Sequence, residues 1–124
     1  MPRVRAALGI VAGACLVLSG LAHSLLGWPQ LRRQLVAATA PPDLVLGVQV
    51  GWEFGGVAML AFGIITMVLF AKRFRGEAAS VFPAVVVAIA YSAFGIAALY
   101  VSGFQPFYLA FIVPAILLFA ASRG

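Results

Sequence analysis

Apolar residues fill four long stretches of the chain, about 4–27, 44–71, 78–101 and 105–122, and short polar segments separate them. A helical membrane span needs about 20 mainly apolar residues. Each stretch is therefore read as one span, and the second, longer than a bilayer requires, is expected to tilt. Trp28-Pro29 is expected to end the first span, because proline cannot extend a helix and tryptophan favours the membrane interface. Beyond it, Leu31, Leu35 and Val36 share one helical face and Arg32 and Arg33 another. That pattern suits a short amphipathic helix lying flat at the headgroups, within an outer loop over 28–43. Pro41-Pro42-Asp43 breaks this helix and offers Asp43 as N-cap of the next. Lys72-Arg73-Phe74-Arg75-Gly76-Glu77 forms a basic turn, and Ser102–Gln105 is a short uncharged link. Pro83 and Pro106 suit first helical turns, whereas Pro114 is expected to kink the fourth span or free a carbonyl. The prediction is an all-α integral membrane protein, one domain folded as an up-and-down four-helix bundle.

Composition removes the soluble alternatives. The 124 residues are 65% hydrophobic and 9% charged, with a mean hydropathy of +1.14, which no ordinary soluble domain shows. Four spans leave no room for a soluble catalytic module. The net charge of +5 does not point to nucleic acid, because the basic residues lie at segment ends, where they act as topology signals and contacts for anionic lipid headgroups. Arg3, Arg5, Lys72, Arg73, Arg75 and Arg123 fall at one end of the expected bundle, and only Arg32 and Arg33 at the other. Both termini are thus expected in the cytoplasm, in a cytoplasmic (inner) membrane. A basic start before an apolar run also describes a secretory signal peptide, but this run exceeds a usual h-region, so an uncleaved span is expected. The single cysteine, Cys15, cannot form an intramolecular disulfide and is read as packing.

Candidate chemistry centres on Gly47–Gly56. Gly47, Gly51 and Gly55 form a helical stripe that lets another helix approach closely, and Gln49 and Glu53 lie roughly opposite. Glu53, the only acidic residue inside the apolar stretches, lies about 13 Å along its helix at 1.5 Å per residue. A carboxyl at that depth is either part of a site or a neutral group locking two helices. His23, the only histidine, has Ser19 one turn before it, and it is either a site residue or an interfacial one bonded to a carbonyl. Depth along the spans allows Ser19, His23, Gln49, Glu53 and Tyr91, with Ser92 beside it, to form an outward-facing polar pocket. Phe104, Phe107, Tyr108 and Phe111 are candidates to wall a place for an isoprenoid or acyl chain. One His, one Glu and one buried Cys fall short of metal ligand sets, and bis-His haem ligation needs a second histidine. Gly9-Ile10-Val11-Ala12-Gly13 is a small-xxx-small packing motif, not a nucleotide fingerprint.

Ser19-Gly20-Leu21-Ala22-His23-Ser24-Leu25-Leu26-Gly27, a proline-containing loop, Trp52-Glu53-Phe54-Gly55-Gly56-Val57-Ala58-Met59-Leu60 and a basic turn together resemble the DoxX-like group of small four-helix bacterial membrane proteins. The resemblance covers roughly the first 75 residues. It implies a basic–acidic pairing of His23 with Glu53, although histidine stands where that group often has lysine, and it implies a quinone-linked or redox-partner role. Two functional readings follow. In the first, the bundle binds a quinone or lipid in the outward pocket, not as an enzyme on its own. In the second, it is an accessory subunit that docks another membrane protein, or a second copy, through Gly47, Gly51 and Gly55.

Overall fold

A computed structural model describes residues 2–123, and all regular structure among them is helical. Helix α1 (Pro2–Ala22) passes through a π-helical turn (His23–Gly27) into α2 (Trp28–Ala37), followed by α3 (Pro42–Phe74) and α4 (Phe82–Val101). A 3₁₀ turn (Pro106–Tyr108) then leads into α5 (Leu109–Ser122). Three helices are long and apolar enough to cross a membrane: Pro2–Ala37, Pro42–Phe74 and Phe82–Val101. The last, Pro106–Ser122, is shorter.

Trp28-Pro29 does not stop the first helix. Proline has no N–H to return to the preceding turn, and the chain meets this by widening: the Trp28 N–H reaches back five residues to the His23 carbonyl. The helix then continues, with Trp28 buried and Leu31 and Leu35 half-buried while Arg32 and Arg33 stay exposed. Residues 28–37 thus form an amphipathic helix that prolongs α1 alongside α3. Its end at Ala38 to Ala40 is a Schellman closure, with the Ala40 N–H on the Leu35 carbonyl and the Thr39 N–H on that of Val36. Thr39 takes the left-handed φ of 54° that glycine usually fills. Asp43 is not the N-cap of α3: Pro41 holds that position without a side-chain bond, and Asp43 sits in the first turn, where its charge suits the helix dipole.

Glycine sets the distance between α1 and α3. A Cβ on Gly13 would fall 3.0 Å from the Gly63 carbonyl, and one on Gly20 2.9 Å from the Gly56 carbonyl. The two backbones therefore touch at two levels, which requires small residues on both sides. Gly9 leaves room for the fully buried ring of Phe70. Gly47 and Gly51 take no part in this seam, since a Cβ on either would meet nothing within 4 Å. Helix α5 packs against α1 and carries α4 on its other side through Gly95, whose Cβ would meet Ile112. Ala88, Ala115, Leu16 and Leu118 are fully buried in the shared core, and Pro114 is buried inside α5. Although consecutive, α3 and α4 touch only sparingly.

The termini and the turn after α3 lie at one end, where Arg5 donates from Nη1 to the Arg123 carbonyl at 3.0 Å. In that turn Arg75 pairs with Glu77 at 2.6 Å. The hydrogen bond from Arg75, helped by the charges of Arg75 and Lys72, holds the Glu77 carboxyl below the usual carboxylate range.

Candidate functional site

The sparing contact between α3 and α4 leaves a cleft of about 460 Å³, inside the range of about 300–1,000 Å³ typical of small-molecule sites. Helix α3 supplies Gly51, Trp52, Gly55, Ala58, Met59 and Phe62; α4 supplies Ala90, Tyr91 and Phe94; α5 supplies Phe111, and His23 closes the wall from the π turn.

His23 and Trp52 hold one another. Trp52 Nε1 donates to the His23 carbonyl at 2.7 Å, and His23 Nε2 lies 3.0 Å from the Trp52 carbonyl. A carbonyl can only accept, so Nε2 carries the proton. The two rings stack with centroids 4.1 Å apart and planes 6° from parallel. Glycines make the space: a Cβ on Gly27 would lie 2.9 Å from the indole, and one on Gly55 3.2 Å from His23 Nε2. The His23 carbonyl therefore serves both the Trp28 N–H and the indole, and the π turn and the ring pair belong to one arrangement.

Tyr91 is only 7% exposed. Its ring meets Phe62 edge-on at 6.4 Å and Phe111 at 6.0 Å, and Phe111 meets Phe94 at 4.8 Å. The Tyr91 hydroxyl is buried without a hydrogen-bond partner among the described residues. Such a group costs about 1–3 kcal/mol, which phenylalanine would avoid.

Of the five expected pocket residues, the structure brings His23 and Tyr91 to one cleft. Ser19, Gln49 and Glu53 are half-buried and line no part of the cleft. Glu53 makes no hydrogen bond or ion pair among the described residues, so the His23–Glu53 pairing that the DoxX-like resemblance implies is not formed. The reason is angular: Glu53 follows Trp52 by one residue and projects about 100° around the helix from the indole that takes His23. Phe111 alone of the four expected wall aromatics lines the cleft; Tyr108 stacks behind it at 6.4 Å, and Phe107 meets Tyr108 at 5.5 Å. Trp52, Met59, Phe62 and Phe94 were not singled out from the sequence. The glycines at 27 and 55 were the available signal, since they clear space for the two rings. No three His, Cys, Asp or Glu side chains converge among the described residues. No family model, no curated protein and no solved structure matches the chain.

Proposed function

We propose that this is a four-span inner-membrane protein, both termini cytoplasmic, that binds a hydrophobic ligand, a quinone or a lipid, in the cleft between α3 and α4. The observation that carries this is the cleft itself, about 460 Å³ between two sparingly touching helices and lined almost wholly by apolar and aromatic side chains. Concave, mostly apolar spaces of this size are where small hydrophobic ligands bind. With the basic end of the helices in the cytoplasm, the His23–Trp52 level and the cleft fall in the outer half of the bilayer. No residue here is assigned a chemical step, so the protein acts by holding its ligand, alone or for a redox partner. Lipid extraction and mass spectrometry of the gently purified protein test this. A stoichiometric hydrophobic compound is expected with the wild type and is expected to be lost from Gly51→Leu, whose side chain would enter open cleft space. Equal retention by both proteins would contradict the assignment. A second reading, an accessory subunit docked by its glycine stripe, draws support from the open space at Gly47 and Gly51. Under it, another membrane chain co-purifies with the wild type and is lost from Gly51→Leu, with no small hydrophobic compound in either.

A further inference from the structure

We infer that the basic end of the bundle carries a second site, which takes one anionic phospholipid from the surrounding leaflet, with its phosphate at Lys72 and Arg73 and one acyl chain laid along α3. The site shares no lining residue with the aromatic cleft. It therefore stands or falls apart from the ligand-site reading above.

Two hollows of different polarity adjoin there. A groove of about 450 Å³ runs between α3 and the start of α4, lined by Ile64, Ile65, Val68, Leu69 and Pro83, with Lys72 at its head. Around the turn lies a more polar hollow of about 640 Å³, lined by Arg73, Gly76 and Glu77. Ala78, Ala79 and Ser80 line both, so the apolar groove and the polar hollow meet along one segment of chain. Ile64, Ile65 and Val68 are exposed on the flank of α3, where α4 touches it only sparingly. From Lys72 back to Ile64 the helix runs about 12 Å at 1.5 Å per residue, within the roughly 15 Å that one acyl chain spans in its half of the hydrocarbon core. A head-and-tail amphiphile fits this pair of hollows.

Charge selects the head. The turn holds Lys72, Arg73 and Arg75 against Glu77. Arg75 is paired with Glu77 at 2.6 Å, so the one acid of the turn is already answered. Arg73 donates from Nη1 to the Ala79 carbonyl at 3.1 Å, which pins the segment shared by the two hollows. That bond uses one of its five donors. Lys72 makes no hydrogen bond or ion pair among the described residues, and the N–H groups of Ala78, Ala79 and Ser80 likewise have no acceptor among them. A phosphate offers acceptors to both cations, and basic pockets between membrane helices on the cytoplasmic side bind anionic headgroups in this way. A zwitterionic head would bring its own ammonium into the same positive field. A second copy of the chain, lying parallel in the membrane, would bring the same cations to the same level, and like charges repel. A free phosphate would leave the apolar groove unfilled.

Because the groove lies open to the bilayer, its lipid exchanges with detergent and is added back for the test. The full chain, washed in dodecyl maltoside, is titrated in native mass spectrometry with dioleoyl phosphatidylglycerol and with dioleoyl phosphatidylcholine, which has the same tails. The first phosphatidylglycerol is expected to bind about tenfold more tightly than phosphatidylcholine, and Lys72→Gln to abolish that difference, as for the loss of one charge-assisted contact. Val68→Trp, which fills the groove from an exposed position, is expected to lose the phosphatidylglycerol. Arg33→Gln, a cation at the other end, and Gly51→Leu, in the aromatic cleft, are expected to bind it as the wild type does. Equal affinity for the two lipids, or an equal loss in Lys72→Gln and Arg33→Gln, would overturn the site in favour of diffuse charge. Full binding by Val68→Trp would remove the chain from the groove and overturn the assignment. Loss in Gly51→Leu would move the lipid to the aromatic cleft, and a dimer that takes up no lipid would give the groove to a second copy; either result also overturns it.

Discussion

His23 and Trp52 join the π turn to α3 by two hydrogen bonds and a ring stack. Interhelical hydrogen bonds in membranes are worth about 0.6 kcal/mol on average, and an aromatic pair adds about 0.5–1.5 kcal/mol. Trp52→Phe keeps a ring over the imidazole but loses the indole N–H. It is expected to cost about 0.5–1.5 kcal/mol in a detergent-unfolding titration, against about 1–3 kcal/mol for His23→Ala, which loses the stack and the bond from Nε2. A greater loss from Trp52→Phe than from His23→Ala would show that the ring stack contributes nothing. His23 and Tyr91, two residues that line the cleft, could be picked out because polar atoms stand out in apolar stretches. The partner that holds His23 was not legible. A one-residue step on α3 turns a side chain by about 100°, and that step separates Trp52, which takes His23, from Glu53, which does not.

At the scale of the elements, three long apolar helices could be read from the length of the apolar stretches, and the Gly9/Gly13 motif did mark a packing face. The register of α1 against α3 could not, because period alone does not say which glycine meets which. Gly13 and Gly20 meet Gly63 and Gly56, while the Gly47/Gly51 stripe stays open. The continuation past Pro29 was equally hidden. It depends on a π turn whose His23 carbonyl also accepts from Trp52 on α3, a tertiary contact. The seam gives a direct comparison. Gly63→Ala would place a methyl 2.8 Å from both the Gly13 carbonyl and the Val17 amide, backbone atoms that cannot step aside. It is expected to destabilise by about 1–3 kcal/mol, the cost of overpacking. Gly51→Ala, with nothing within 4 Å, is expected to be neutral or slightly stabilising by the same titration. Equal effects of the two would contradict the seam.

The whole molecule is a long helical hairpin with a shorter one laid against it. Pro2–Ala37 and Pro42–Phe74 contain 36 and 33 residues, or about 54 and 50 Å at 1.5 Å per residue, well beyond the ~30 Å of a hydrocarbon core. The α4–α5 hairpin is shorter and fastens to α1 through α5, so α3 and α4 stand apart and the cleft opens between them. Its existence follows from this order of packing, which composition does not encode; its apolar lining follows from the sequence. Native mass spectrometry of the protein released from gentle detergent tests the central claim most directly. The account predicts one added mass of small-molecule size per chain, present in the wild type and absent in Gly51→Leu. A wild type bearing no small-molecule mass, or the same mass persisting in Gly51→Leu, would contradict it.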